Sequence, residues 1–342
     1  MEKKENTKCL DSLVEMQEST SSTPYDDVFR TLYTKARQLV LPVFNELFGT
    51  KYLGDEKVTL LQNEVFPLEP RNGKMTRVKR ISDSHFEVIS HDGDAKAFHL
   101  ECQSTRDSSM GLRVFEYAVS IAMTNAVLQG SVSEINFPKS AVIYLCSTSS
   151  RLKSYEFRMN FSDTDSTVWT IPVMKATEYS VDEIFQKKLY FILPFRLFVF
   201  RDSLEELDHD AEGRRKISGE YQDICNRLLK LVEEGAMPLA TAQLLIEMCL
   251  NVVRAMTNWK FLNVRKEVES IMGGKVLETI GEKMFLKGGQ VANEKTVVRM
   301  LMRFSKLRTQ PRQQDILRIS EDADVSVERV LEIAKENGIV LA

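Results

Sequence analysis

The sequence predicts an α/β fold: a mixed central sheet carrying helices, followed by a mostly helical C-terminal region. Three observations carry this. Residues 78–89 and 97–103 alternate apolar and polar side chains, the period of a strand, and flank an Asp-Gly turn signal. On either side of them, apolar residues recur at helical spacing. Beyond about residue 201 strand signals vanish, and charged amphipathic helical patterns take over.

Residues 1–22 are polar and rich in Ser, Thr, Glu and Lys, and read as a disordered tail. From Asp26 to about Phe48 the residues Val28, Phe29, Leu32, Leu39, Val43 and Leu47 fall at helical spacing. Thr23 or Asp26 serves as its cap, and Pro42 should kink or split it. A short strand is expected over Val58–Val65, then the hairpin, then a helix over Ser108–Leu128. Pro138–Cys146 contains the unbroken apolar run Ala141–Leu145 and reads as a buried strand. Thr167–Ala176 reads as another. Ser180-Val181-Asp182-Glu183 has the form of a capping box that opens a helix. These elements define a core over 23–200 and a helical region over 201–342. The helical region divides into Leu204–Glu233, Pro238–Trp259 and Val264–Phe285, punctuated by Gly235, Gly273-Gly274 and Gly288-Gly289. Short helices are expected from Thr296 to Gly338. Ile316 to Val330 has the pattern of a small helix-turn-helix, which an ordinary helical pair shares.

The hairpin matters most. If the chain folds back about position 92, Asp83 falls opposite Glu101, His85 opposite His99 and Phe86 opposite Phe98. The phenylalanine face is apolar and expected to be buried. The other face then holds two carboxylates with Cβ atoms roughly 5 Å apart. Like charges that close repel unless something positive lies between them. A hard divalent cation such as Mg2+ is the usual answer.

Asp83 followed by Glu101-Cys102-Gln103 resembles the PD-(D/E)XK nuclease superfamily, and more closely its transposase-like, recombination-promoting branch, where Gln often stands last. Tyr25-Asp26-Asp27-Val28-Phe29-Arg30 is similar to the entry of that family's first helix. His99-Leu100-Glu101-Cys102-Gln103-Ser104 with Arg113-Val114-Phe115-Glu116-Tyr117 is similar to its core strand and following helix. Ile171-Pro172-Val173 and Leu193-Pro194-Phe195 also match. The resemblance covers about residues 23–200. It implies a restriction-endonuclease-like core and a DNA endonuclease that uses Mg2+ or Mn2+. Asp83 and Glu101 would bind the metal, with the backbone carbonyl of Cys102 completing its oxygen shell. The generic superfamily has Lys where this chain has Gln103. An amide can orient a water but adds no positive charge. A DNA-binding or assembly module with weak or lost catalysis is therefore the alternative.

Other residues admit two readings. One of Asp26 and Asp27 points to the metal site, and the other is an acid favoured by the helix dipole; Asp27 is the accessory candidate. Arg113 and Tyr117, four apart on one helix face, contact phosphate or brace Glu101 and Gln103, and Tyr117 is equally a core residue. His85 and His99 share the site face, where a histidine is more often structural.

A chain of 342 residues with net charge −3 has the size for two domains and no global basic character. A metal-dependent nuclease needs only a local basic rim. Arg71, Lys74, Arg77, Lys79, Arg80, Arg106 and Arg113 are its candidates. Five scattered cysteines suggest neither a zinc site nor a disulfide framework, and point to a reducing cytoplasm. No stretch approaches a membrane span, and the N-terminus leads into no apolar signal segment. Walker-type loops and Gly-x-Ser-x-Gly elbows are both missing, so neither nucleotide use nor that hydrolase chemistry is indicated. The expected partner is DNA, with the C-terminal helices adding DNA contacts or a homodimer surface.

Overall fold

The computed structural model describes residues 23–61, 64–65, 68–71, 74–77, 80–81, 84–129, 132–149, 151–273, 293–304 and 309–340. By packing, the chain divides into two units, at 272/273. The boundary expected at 200/201 thus marks a change in secondary structure, whereas the first packed unit continues to Met272.

The first unit opens with α1 (Pro24–Lys35). Thr23 caps it in a full capping box with Asp26, and Val28, Phe29, Leu32 and Tyr33 form its buried stripe. The expected single helix is split. One 3-10 turn over Arg37–Val40 separates α1 from α2 (Leu41–Phe48). Pro42 lies in the first turn of α2, where its missing N–H costs nothing. Gly49 ends α2 at φ 63, the left-handed conformation that glycine adopts freely.

The sheet has six strands: β1 (Lys57–Leu60), β2 (Ser84–Ile89), β3 (Ala95–Gln103), β4 (Lys139–Tyr144), β5 (Ser154–Asn160) and β6 (Ser166–Lys175). Their spatial order is β1-β2-β3-β4-β6-β5. The pairs β1–β2, β2–β3 and β5–β6 are antiparallel, and β3–β4 and β4–β6 are parallel. The sheet is therefore mixed, as expected of the α/β class. The parallel step from β3 to β4 is bridged by helix α3 (Met110–Thr124), since parallel neighbours need a crossover.

Two departures from the sequence reading have local causes. The helix expected to reach Leu128 ends at Thr124, and Val127–Gln129 pairs with Val132–Glu134 as a small ribbon. Continuous apolar character cannot tell a helix end from a short strand. Strand β5 was not expected at all, because its alternation is partly exposed and interrupted by charges.

One face of the sheet is closed by α1 and α2. Phe44 stacks on Phe98 at 4.1 Å, and Tyr33 meets Phe86 edge-on at 5.7 Å. Ser180 and Glu183 make the expected capping box that opens α4 (Val181–Gln186). A buried run of 3-10 turns, Tyr190–Ser203, follows. Within it Arg196 is tied to Glu220 at 2.9 Å and to the Tyr179 carbonyl at 2.6 Å. Helices α5 (Leu204–His209), α6 (Ala211–Glu233), α7 (Leu239–Thr257) and α8 (Leu262–Met272) complete the unit. Asp208 is buried and accepts the backbone N–H groups of Asn263 and Val264 at 2.9 and 2.8 Å, which caps α8.

The expectation that no segment approaches a membrane span needs a correction. Helix α7, at 19 residues, is long and apolar enough by length and composition. Its apolar side chains, Leu245, Ile246, Val252 and Val253 among them, lie inside the fold.

In the second unit, residues 293–304 are helical, followed by α9 (Gln313–Ala323) and α10 (Val327–Glu336). Val297, Leu301, Ile316, Ile319, Val330 and Ile333 form its core. The two helices expected between Ile316 and Val330 are present, joined at Asp324 in the left-handed conformation. Arg329 ion-pairs with Glu294, Glu332 and Glu336, linking α10 to the 293–304 helix.

Candidate functional site

The β2–β3 hairpin turns about residue 92. His85 faces His99, Phe86 faces Phe98 and Ser84 faces Leu100, the register expected from the sequence. Gly93 takes φ 85 in the turn. Ser84 anchors the far end, its hydroxyl donating to the Leu100 carbonyl at 3.0 Å. Asp83 lies outside the described residues, as do the side chains of Arg71, Lys74, Arg77, Lys79 and Arg80.

Glu101 sits mid-strand on β3, 1% exposed. Its carboxylate oxygen Oε1 accepts from His99 Nε2 at 3.0 Å. An ionised carboxylate only accepts, so with Glu101 ionised Nε2 carries the proton. The other imidazole nitrogen, Nδ1, lies 3.3 Å from the Ser140 hydroxyl on β4. From α3, Arg113 brings its guanidinium to 3.7 Å of Oε2. The same guanidinium donates to Asp107 at 2.9 Å, and Asp107 accepts the backbone N–H and hydroxyl of Ser109 ahead of α3. A polar chain thus runs Ser140, His99, Glu101, Arg113, Asp107, Ser109, from the sheet interior to the helix start.

The electrostatics follow from this chain. Burial alone would lower the Arg113 guanidinium, but Glu101, Tyr117 and Asp107 outweigh it and hold Arg113 above its ordinary value. The Ser109 hydroxyl first of all, against the opposing effect of burial, holds Asp107 below the usual carboxylate range, helped by the Ser109 N–H and Arg113.

The hairpin's site face is covered: α3 lies over it, His99 and His85 are buried, and Tyr117 meets the His99 ring edge-on at 6.0 Å. Arg113 braces Glu101, one of the two roles open to it. Tyr117 is buried, in keeping with its packing role. Gln103 ends β3 half-buried, with its carbonyl accepting from the Leu145 N–H at 2.9 Å. Cys102 points to the opposite, apolar face and is buried, as expected of its thiol. In α1 Asp26 is engaged in the capping box, and Asp27 is exposed in the first turn.

Sequence reasoning missed Ser140 and Asp107. A serine inside an apolar strand carries no signal of a histidine behind it. Asp107 had one: Asp-Ser-Ser immediately before a helix is capping chemistry. It also missed the group Asp55, Glu56 and His91, whose ligand-type atoms lie within 4.8 Å of one another. Glu56 accepts the N–H groups of Leu53 and Gly54, and His91 pairs with Asp55 at 3.0 Å. Those bonds are those of a self-satisfied turn.

No protein-family model, no curated protein and no solved structure matches this chain.

Proposed function

We propose that the chain is a metal-dependent DNA endonuclease built around Glu101. The observation that carries the reading is the arrangement about β3: a helix, an antiparallel meander β1–β2–β3, a crossover helix and a parallel β4, with Glu-x-Gln at the end of β3. That order and that motif are what the PD-(D/E)XK resemblance implies. The sequence alternation that set His85 against His99 and Phe86 against Phe98 also set Asp83 against Glu101, and Asp83 is proposed as the second carboxylate.

The donor set suits Mg2+ or Mn2+, which prefer oxygen ligands. Glu101 and Asp83 would supply carboxylates, and the Cys102 carbonyl would supply a third oxygen. The ion would polarise the scissile phosphate and lower the pKa of a bound water. The chain's own residues do the positioning. His99 and Arg113 fix the Glu101 carboxylate from two sides. Arg113 stays cationic and offsets negative charge beside the phosphate. Gln103 orients the attacking water through its amide.

A second reading rests on a specific observation. Glu101 is already balanced by Arg113, and Gln103 replaces the cationic Lys of the generic motif. That combination favours a DNA-binding module with weak catalysis. Plasmid incubated with purified protein, with and without Mg2+ or Mn2+, separates the two. Metal-dependent nicking that Glu101→Ala abolishes supports the endonuclease. DNA binding without cleavage, indifferent to Glu101→Ala, supports the module.

A further inference from the structure

We propose that β5 is the contact strand of a two-fold homodimer, in which two copies join their sheets antiparallel, centred on Phe157. Strand β5 is the last strand of the sheet and is bonded to β6 on one edge only. Among the described residues nothing pairs with its other edge. Open edges are normally blunted by shortness, proline, bulges or charged side chains, and of these β5 carries only the charges Glu156 and Arg158, which are of opposite sign. The opposite edge, β1, is short, at four residues. Strand β5 has seven residues, Ser154-Tyr155-Glu156-Phe157-Arg158-Met159-Asn160, with neither proline nor glycine.

Its sequence is complementary to itself. Antiparallel pairing of two copies about Phe157 sets each residue against its mirror: Ser154 against Asn160, Tyr155 against Met159, and Phe157 against its own copy. Glu156 of one copy falls against Arg158 of the other, twice by symmetry. Both are exposed, and among the described residues neither forms an ion pair. Opposite charges directly across a ladder stabilise it, and like charges destabilise it. On the other face Phe157 stacks against Phe115 at 5.0 Å and lies beside Trp169. Pairing therefore extends an aromatic surface already present. Exposed Phe161 (67%) and Val168 (51%) on the same β5–β6 hairpin add apolar area that a monomer leaves in water.

The occupant is a second copy because the charges sit at mirror positions, which an unrelated strand has no reason to match. A strand-to-strand contact is a small interface, so the dimer should form with rising concentration. The experiment is sedimentation velocity of the full chain from roughly 1 µM to roughly 500 µM, spanning weak association. Wild type should shift from monomer to dimer. Glu156→Arg and Arg158→Glu alone each place like charges opposite each other, and each should weaken the dimer roughly tenfold or more. The double variant Glu156→Arg with Arg158→Glu restores complementarity and should regain the wild-type dimer. Circular dichroism establishes that the single variants are folded. A wild type that stays monomeric throughout overturns the proposal. So does a dimer unaffected by both single reversals, or a double reversal that fails to rescue.

Discussion

Glu101→Gln tests the proposed metal site with little change of shape. Glutamine keeps an oxygen for the His99 N–H but loses the charge facing Arg113. Exchanging a charge-assisted bond for a neutral one costs about 1 kcal/mol. Burying an amide instead of a carboxylate removes part of a desolvation penalty in return. Without metal, the variant should therefore melt within about 1 kcal/mol of wild type, or roughly 2–4 °C. Metal should separate them. An ion at about a hundredfold excess over its Kd stabilises the wild type by about 2.7 kcal/mol, or roughly 5–10 °C for a unit of this size. In Glu101→Gln that increment should disappear.

The assay is thermal melting in EDTA and across a Mg2+ and Mn2+ series, alongside plasmid nicking. His91→Ala is the control, because Asp55, Glu56 and His91 form the metal-ligand group found among the described residues. If Glu101→Gln keeps the full metal increment and His91→Ala loses it, the ion binds at that turn and the reasoning about Glu101 is wrong.

Three further outcomes follow from the same geometry. Gln103→Ala should slow single-turnover cleavage while metal and DNA binding stay close to wild type, and Gln103→Lys should be tolerated or faster, because an ammonium adds charge where the transition state is negative; Gln103→Ala as fast as wild type removes Gln103 from the mechanism. Asp208→Ala leaves the Asn263 and Val264 N–H groups without their acceptor, and should cost about 3 kcal/mol, or roughly 5–10 °C in Tm; an unchanged melt refutes the capping account. Asp107 is held below its ordinary value in the folded state, so its stabilisation is present above the unfolded carboxylate value and is lost as pH falls through the lower folded value. Urea midpoints measured from about pH 5 down to about pH 2 should fall less steeply in Asp107→Asn than in wild type.

Much of the fold was legible because its signals are local. Period-two alternation and an Asp-Gly turn were enough to set the hairpin register to the residue, since a slip by one would turn Phe86 and Phe98 outward. The capping box at Ser180 and Glu183 was readable for the same reason: both halves of the interaction lie within four residues. Pro42 marked where the first helical segment divides. Strand β5 was not legible. Its apolar residues face the aromatic surface on β6 and α3 rather than a continuous core, so its alternation is weak. The packed extent of the first unit was equally hidden. Composition changes near residue 201, but helices can pack on a sheet and share its core whatever their composition.

The site divides along the same line. Alternation says which side chains share a face of a strand, and it grouped His99 with Glu101 correctly. It does not say what covers that face. Helix α3 does, and its four-residue spacing already put Arg113 and Tyr117 on one side. What sequence spacing could not supply is the crossing of that helix over β3, which leaves Glu101 a buried carboxylate held between an imidazole and a guanidinium. That difference bears directly on the chemistry. An exposed Glu101 would need a cation simply to relieve repulsion from Asp83. A Glu101 braced by Arg113 carries part of that balance within the protein, so an ion binding there must compete with a fixed positive charge. Weakening that charge with Arg113→Met should then strengthen metal binding even as it loosens the strand. A protein that binds Mg2+ no more tightly after this change has no metal site coupled to Arg113.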